Sequence, residues 1–292
     1  MTYADSHGMQ IFFETFGSPT DPTVLLVMGL GAQAIAWDAA FCSLLAAEGF
    51  QVVRFDNRDV GLSGRTLSPP PVFAPPSGPH ALASVVGEPP YTISDMAADA
   101  CAVLDALGVA KAHIVGASLG GMIAQHVAFE HPDRTLSLVS IMSTTGEPGV
   151  GGASTEAAQW LMTPTPLERS AAIEHGVNAS RVISGPLFDE DRARAFCAAR
   201  FDRAFNPIGS LYQLAAAIAD GDRTHRVGTV RCPTLVLHGK ADSLIDVSGG
   251  HATAAAIPGA VELMLDEMGH DLPPELWPEI VAAIADNAAR AG

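Results

Sequence analysis

Lysine is almost missing from this chain. Lys111 and Lys240 are two of its 16 basic residues, so the other fourteen are arginines, and 32 acidic residues outnumber them all. The formal net charge of −16 would repel the phosphates of nucleic acids and of anionic membranes, so we expect neither as a partner. We interpret the acidity as favouring solubility, and the shortage of lysine beside abundant alanine as a result of genomic composition.

Cysteine is also scarce, and its four positions, Cys42, Cys101, Cys197 and Cys232, are widely spaced. They form no Cys-x-x-Cys pair and have no histidine at the spacing of a metal ligand, so the pattern predicts no metal site and requires no disulfide. Cys42 and Cys101 fall in amphipathic stretches, where a thiol behaves as a small apolar side chain. We expect both to lie in the core.

Long hydrophobic runs are missing too. No apolar stretch reaches the roughly 20 residues that cross a bilayer, and the first residues lack the basic and apolar regions of a secretion signal. We therefore expect a cytoplasmic protein without a membrane partner, with a monomer or a dimer both open. With 292 residues, 48% of them hydrophobic, the chain can form one substantial α/β core with an insertion.

The chain does contain an alternation of short apolar runs and amphipathic stretches. The continuous apolar runs are typical of strands buried on both faces, and one amphipathic stretch opens with a capping box at Thr92 and Asp95. Such alternation predicts an α/β fold with a mostly parallel, doubly wound sheet. The predicted strands cover residues 10–16, 23–28, 51–55, 112–115, 136–142, 234–239 and 261–265.

The alternation breaks twice. Residues 67–90 are rich in proline, which predicts a stiff surface excursion or, alternatively, a rim of a pocket. Residues 146–229 have a helical pattern, and we expect them to form a cap that excludes water and shapes a pocket, above a core domain of residues 1–145 and 230–292. The helices of this cap are predicted near 154–162, 167–178, 189–203 and 208–219.

A Gly-x-Ser-x-Gly motif, Gly116-Ala117-Ser118-Leu119-Gly120, follows the predicted strand 112–115 and precedes a helical stretch. A sharp strand-to-helix turn presents a nucleophilic serine in this way, and its glycines are needed because side chains do not fit beside the serine. The N-terminus of the helix then points at the reacting atoms. The alternative is a glycine-rich turn of a nucleotide-binding fold.

Two later residues favour catalysis. Asp242 and His270 each follow a predicted strand, and parallel sheets place their sites at these carboxyl ends. Ser118, Asp242 and His270 have the chain order of a triad in which the imidazole takes the hydroxyl proton and the carboxylate orients the imidazole. Asp266 and Asp271 flank the histidine as competing acids, but Asp271 is adjacent to it and poorly placed to reach the ring.

Together with Met28-Gly29-Leu30-Gly31 and the segment 56–63, these motifs resemble those of the α/β-hydrolase superfamily over nearly the whole chain. Within it, the chain is most similar to the small-molecule esterases around aclacinomycin methylesterase and to actinobacterial-type esterases. Those esterases likewise have methionine before the oxyanion glycine, and aspartate at the position of Asp59, where most relatives have glycine.

The resemblance implies an α/β-hydrolase fold with a helical cap inserted before the acid-bearing strand. It also implies that Ser118 is the nucleophile, that His270 is the base and that Asp242 is the acid. The backbone N–H groups of Leu30 and Leu119 would donate to the oxyanion, and no metal or organic cofactor is needed.

The predicted function is a serine carboxylesterase that cleaves small to medium hydrophobic esters through an acyl-enzyme, so the expected partner is a small-molecule ester. A carbon–carbon bond hydrolase, a lactonase or a metal-free perhydrolase would use the same triad, and a slow-turnover ligand receptor can retain it. Apolar and aromatic residues near strand ends or in the cap are the candidates for a hydrophobic acyl or alkyl pocket: Met28, Trp37, Met122, Met142, Trp160, Phe205 and Leu272.

Four charged residues outside the triad are interpreted as follows. Arg203 would attract a substrate carboxylate or, more simply, be solvated or paired with an acid. Asp56 and Arg58 are expected to brace loops below the site. Asp56 with Asp59 as metal ligands is a remote alternative.

Overall fold

The computed structural model describes residues 1–74 and 84–292. Eight strands form one sheet, in which the first two run antiparallel to their neighbours and the other six run parallel to one another. The ten strands of the described residues are β1 (Thr2–Ser6), β2 (Met9–Phe16), β3 (Thr23–Val27), β4 (Gln51–Phe55), β5 (Val72–Ala74), β6 (Ser84–Val86), β7 (Ala112–Ala117), β8 (Thr135–Ile141), β9 (Thr234–Gly239) and β10 (Val261–Leu265). The order across the large sheet is β1-β2-β4-β3-β7-β8-β9-β10.

Helices cover both faces of this sheet, as a doubly wound topology requires. Among the described residues they are α1 (Ala39–Ala47), α2 (Ile93–Ala106), α3 (Leu119–Glu130), α4 (Thr155–Met162), α5 (Arg169–Ile183), α6 (Glu190–Arg203), α7 (Gly209–Asp220), α8 (Thr224–Val227), α9 (Ser248–Ala256) and α10 (Trp277–Ala289). None of these helices is long and apolar enough to span a bilayer. The structure has the predicted α/β architecture with a mostly parallel, doubly wound sheet.

The central strands are buried on both faces, which explains their continuous apolar sequences. In β3, Leu25 packs into a cluster with side chains of α2 and α3, whereas Leu26 packs into a second cluster with α1 and α10. Ile114 and Val115 of β7 alternate between the same two clusters. Successive side chains of a strand point to opposite faces of the sheet, so a single apolar run contributes to both clusters.

The stretch between β8 and β9 is helical, with α4 to α7 close to their predicted positions. The second of these helices is longer than predicted, because it continues past residue 178 to Ile183. Helices α5 and α6 pack on each other through a small cluster that contains Ile173, Val177 and Cys197. The division into a core of 1–145 and 230–292 and a cap of 146–229 stays a prediction.

The proline-rich segment differs from its prediction. Instead of an extended excursion throughout, Val72–Ala74 and Ser84–Val86 pair as a short antiparallel ribbon. Valine and phenylalanine, which favour strands, outweigh the neighbouring prolines at these positions. Residues 75–83 of the predicted excursion lie outside the described residues.

A buried ionic cluster joins α3 to α7 and α8. His126 is fully buried, and its Nε2 lies 3.0 Å from an Asp220 carboxylate oxygen. Arg223 and Arg226 each donate to the same carboxylate at 2.8 Å. Burial on its own would raise the pKa of Asp220, but the hydrogen bonds and charges of His126 and Arg223 hold it well below the usual range. The carboxylate therefore stays ionised and connects α7 to α3, the helix that follows Ser118.

We expect Asp220→Asn to lower the free energy of unfolding by about 3 kcal/mol, because it leaves the buried Arg223 without its counter-charge and changes the hydrogen-bond partner of His126. Chemical denaturation at neutral pH measures this loss. Asp222→Asn is the matched control, since Asp222 is exposed and bonds only within its own turn through Thr224. Equal stability of the two variants would contradict a stabilising role for the cluster.

Candidate active site

Ser118 lies in a strained turn between β7 and α3. Its φ of 58° and ψ of −123° are in a region that side-chain-bearing residues rarely adopt. The turn is held from below by a hydrogen bond from the Ser118 N–H to the Ile141 carbonyl at 2.9 Å. A Cβ on Gly116 would collide with the Gly120 carbonyl, and a Cβ on Gly120 would collide with the Val27 carbonyl. Both glycines of the motif are therefore required by close backbone contacts.

The structure brings the three predicted catalytic side chains together. His270 Nε2 lies 2.9 Å from Ser118 Oγ, and His270 Nδ1 lies 2.7 Å from Asp242 Oδ2. Asp242 follows β9 and His270 follows β10, so parallel strands deliver both to the carboxyl edge of the sheet. Of the competing acids, Asp266 pairs with Lys240 and Asp271 accepts from the Gly269 N–H.

The environment of Asp242 keeps its carboxylate charged. Burial would raise its pKa, but the charge of His270 and the hydrogen bonds from His238, His270 and the Ile245 N–H lower it to about 2. Its Oδ1 accepts from the N–H groups of Leu244 and Ile245, each at 2.8 Å, which leaves Oδ2 to face the imidazole. The carboxylate is thus both oriented and ionised at neutral pH.

His238 is a neighbour of Asp242 that sequence reasoning treated only as part of a strand. It is fully buried, and its Nε2 lies 2.8 Å from the Ile245 carbonyl and 3.4 Å from Asp242 Oδ2. The sequence does contain a signal for this residue. His238 interrupts an otherwise apolar run, four residues before Asp242. The ring fixes the turn that carries Asp242.

The loop after β3 passes directly over the serine. A Cβ on Gly29 would lie 2.9 Å from the Ser118 Cβ. Asn57 Nδ2 donates to the Met28 carbonyl at 2.7 Å, and the Gly31 N–H donates to Gln213 Oε1 of α7 at 2.8 Å. Neither partner was predictable from the sequence, since Asn57 and Gln213 are distant from the loop along the chain.

Two backbone donors face this region without a protein partner. Within residues 1–74 and 84–292, no atom accepts a hydrogen bond from the N–H of Leu30 or of Leu119. Leu119 is the first residue of α3, where the N–H groups of a helix are unsatisfied and the helix dipole is positive. The two groups can therefore donate to a negatively charged oxygen beside Ser118.

The charged residues of the segment 56–63 stabilise the loops near the site through hydrogen bonds and ion pairs. Buried Asp56 accepts from the N–H groups of Ala34 and Leu62 and pairs with Arg203 at 2.8 Å. Arg58 pairs with Asp99 at 2.6 Å. In the part of the chain that the structure describes, no three His, Cys, Asp or Glu side chains form a group that could hold a metal ion.

A cavity of about 690 Å³ lies over Ser118 and His270, between the loop after β3 and the helices α4 to α7. Four of the predicted pocket residues, Met28, Met142, Trp160 and Phe205, line it. Residues missed by the sequence analysis also line it: His175, Phe196, Arg200, Phe201 and Leu214. The spacing of 196 and 200, and of 197 and 201, along α6 is that of one helix face and could have shown which residues point inward.

Three predicted pocket residues are corrected. Trp37, Met122 and Leu272 are not among the described residues that line the cavity. Trp37 is fully buried and stacks on Phe41 at a centroid distance of 5.5 Å, so it belongs to the core below the loop. Met122 and Leu272 pack against the two core clusters on opposite faces of the sheet.

The sequence matches the family described as alpha/beta hydrolase fold over residues 22–168. It is similar to rhodomycin D methylesterase from Streptomyces peucetius, with 30% identity over 96% of this chain and 95% of that protein. Its fold is similar to an enol-lactonase from Burkholderia xenovorans LB400, with a TM-score of 0.75 and 21% identity over 99% of this chain and 100% of that one. An esterase from Rhodococcus sp. ECU1013 matches with a TM-score of 0.75 and 22% identity over 100% and 99% of the two chains.

We expect Gly120→Ala to destabilise the protein by about 2 kcal/mol, because the added methyl group must push the turn away from the Val27 carbonyl. Urea unfolding measures the change. Gly152→Ala is the matched control, since a Cβ there meets no atom within 4 Å. If both variants unfolded at the same urea concentration, the close contact of the turn with β3 would not be a real constraint.

Proposed function

Because the chain belongs to the alpha/beta hydrolase family, we propose that it is a carboxylic ester hydrolase that uses Ser118 as nucleophile and forms an acyl-enzyme. The observation that carries the proposal is the continuous hydrogen-bonded line from Ser118 through His270 to Asp242, with contacts of 2.9 Å and 2.7 Å. A serine hydroxyl is a weak nucleophile at neutral pH, and an adjacent oriented base is what activates it.

The reaction begins when His270 Nε2 accepts the Ser118 hydroxyl proton as Oγ attacks the ester carbonyl. The protonated imidazole then donates this proton to the leaving alcohol as the ester C–O bond breaks. A water molecule, deprotonated by His270, attacks the acyl-serine in the same way, which releases the acid and restores the hydroxyl. Asp242 fixes the imidazole tautomer and stabilises its transient positive charge.

The tetrahedral intermediate carries a negatively charged oxygen. We assign its stabilisation to the N–H groups of Leu30 and Leu119, which lack partners within the described chain and lie on the two backbone segments closest to Ser118. Preorganised donors of this kind lower the barrier by about 3 kcal/mol each. Both donors belong to the backbone, so apolar side chains at these positions are compatible with the role.

The apolar walls of the cavity support a hydrophobic substrate. Met28 and Met142 lie nearest the sheet, and Trp160, Phe201 and Phe205 come from the helices above it. The similarity to a protein named rhodomycin D methylesterase supports an ester of a small alcohol. A cytoplasmic location also stays part of this proposal.

We expect Ser118→Ala to reduce the hydrolysis of p-nitrophenyl esters by at least about 10⁴-fold, because no other group in the line can form the acyl-enzyme. Steady-state assays over a series of acyl chain lengths measure the loss and also report the size of the pocket. Ser43→Ala is the matched control, since Ser43 is exposed on α1 and bonds only to its own helix.

Unchanged hydrolysis by Ser118→Ala would contradict the nucleophile assignment. A folded wild type that turns over none of these esters would instead favour one of the other reactions of the same triad, namely carbon–carbon cleavage, lactone hydrolysis or perhydrolysis. A single turnover with a thermal shift on binding would favour a receptor.

We expect the hydrolysis rate to fall on acidification, because a protonated His270 cannot accept the Ser118 proton. The pKa of Asp242 is about 2, below its ordinary value, so this carboxylate stays ionised above that pH and does not contribute to the fall. The pH profile of kcat/KM should therefore show an acid limb from one proton. An acid limb whose slope corresponds to two protons, or a kcat/KM that does not fall in acid, would contradict these roles.

A further inference from the structure

The cavity over Ser118 has an unbalanced charge. Among the described residues that line it, Arg200 is the only arginine or lysine, and none is an aspartate or a glutamate. The remaining lining side chains are mostly apolar, with a few neutral polar groups such as His175 and Asn206. The chain as a whole has a net charge of −16, so the charge of this cavity is opposite in sign to that of the molecule.

Arg200 also lacks the partner that most neighbouring arginines have. Arg169 pairs with Asp202 at 2.6 Å and Arg203 pairs with Asp56 at 2.8 Å. In contrast, no described carboxylate lies within 4.0 Å of the Arg200 guanidinium, and this group donates no hydrogen bond to any described atom. For Arg203 the simpler of the two interpretations, a side chain paired with an acid, therefore holds, because Asp56 balances its charge.

The position of Arg200 is fixed by the loop after β3. Gln33 Nε2 donates to the Arg200 carbonyl at 2.9 Å, which holds this end of α6 beside the segment that contains Leu30. A guanidinium nitrogen of Arg200 lies 3.9 Å from the place where a Cβ on Gly176 would be, so the group lies against α5 on the cavity wall. The guanidinium thus shares one cavity with Ser118 and His270.

The second polar side chain of this wall is His175. Burial lowers its pKa, and the positive charge of Arg200 lowers it further. His175 is therefore neutral at pH 7 and adds a hydrogen-bonding group without adding charge. Trp160 packs against its ring at a centroid distance of 5.1 Å.

We propose that the enzyme acts on esters that carry a free carboxylate elsewhere in the molecule, and that Arg200 binds this carboxylate while Ser118 attacks the ester. A planar guanidinium matches a carboxylate through two parallel hydrogen bonds, and the apolar surroundings strengthen such charge-assisted bonds. One positive charge balances a carboxylate, whereas a dianionic phosphate would need a second cation that the described lining does not supply.

This proposal rests on the proposed ester hydrolysis. The carboxylate and the ester must lie at opposite ends of one substrate, because Arg200 belongs to α6 and Ser118 to the sheet edge. Half-esters of α,ω-dicarboxylic acids have this form, and their apolar middle section suits the methionine and aromatic walls.

The test compares methyl half-esters of dicarboxylic acids of increasing length with the corresponding ω-amide methyl esters, which have the same shape without the charge. We expect wild type to prefer the carboxylate series in kcat/KM by about tenfold or more at the optimal length. Arg200→Gln should bring this ratio close to unity, mainly through a higher KM for the carboxylate series. Arg200→Lys should retain part of the preference.

Arg194→Gln is the matched control. Arg194 lies on the same helix but pairs with Glu174 and Glu190 on the exposed side, so its loss should leave the preference intact. A wild type that hydrolyses the amide series as well as the carboxylate series, or an Arg200→Gln variant that keeps the preference, would overturn the proposal without affecting ester hydrolysis.

Binding provides a readout that does not depend on turnover. Calorimetric titration with glutarate or a longer dicarboxylate should show binding to wild type and to Ser118→Ala, and a loss of about tenfold or more in affinity for Arg200→Gln. Equal affinities of wild type and Arg200→Gln would overturn the role of Arg200. If Ser118→Ala bound the dicarboxylate but no ester were hydrolysed by wild type, ester hydrolysis would be wrong and carboxylate binding would stand.

Discussion

The backbone contact between Gly120 and the end of β3 is the constraint on which the candidate site depends. Because no side chain separates Gly120 from the Val27 carbonyl, the first turn of α3 lies directly against the loop that continues from β3. The same close packing of the two backbone segments places Gly29 next to Ser118, where a Cβ on Gly29 would lie 2.9 Å from the Ser118 Cβ. The N–H groups of Leu30 and Leu119 can converge on one oxygen only at this distance. Replacing either glycine would move the loop that carries Leu30 away from Ser118 without changing any of the proposed reacting groups.

The inserted helices contribute to this arrangement as well as covering it. The last carbonyl groups of a helix have no partner within the helix, and those of α5 accept from the two catalytic loops. Val182 accepts from Ser243, next to Asp242, at 2.8 Å, and Ile183 accepts from the His270 N–H at 2.7 Å. Gln213 of α7 also accepts from the Gly31 N–H, so hydrogen bonds connect these helices to the loops that carry Asp242, His270 and Leu30. Motion of the helices relative to the sheet would therefore disturb the catalytic geometry.

The sequence was sufficient for features that depend on local patterns. The apolar runs at 51–55 and 234–239 match β4 and β9, and the strand ends place Asp242 and His270 at one edge of the sheet. Contacts between distant segments were not predictable in this way. Nothing near Gln213 indicates that it bonds Gly31, and Trp37 has the composition of a pocket residue although tertiary packing places it in the core. Apolarity alone does not tell a pocket wall from a core.

Reactivity and selectivity come from different parts of the chain. Ser118, Asp242 and His270 all follow parallel strands, so the proposed chemistry depends on the sheet, whereas His175 and Arg200 belong to α5 and α6 and line the cavity. The helices and the sheet edge are connected at the carboxyl end of α5, where the Val182 and Ile183 carbonyls bond to the loops that carry Asp242 and His270. Substitutions that face the cavity before that end can alter the substrate without moving the triad. Substitutions at the end of α5 cannot, since its backbone positions the acid and the base together.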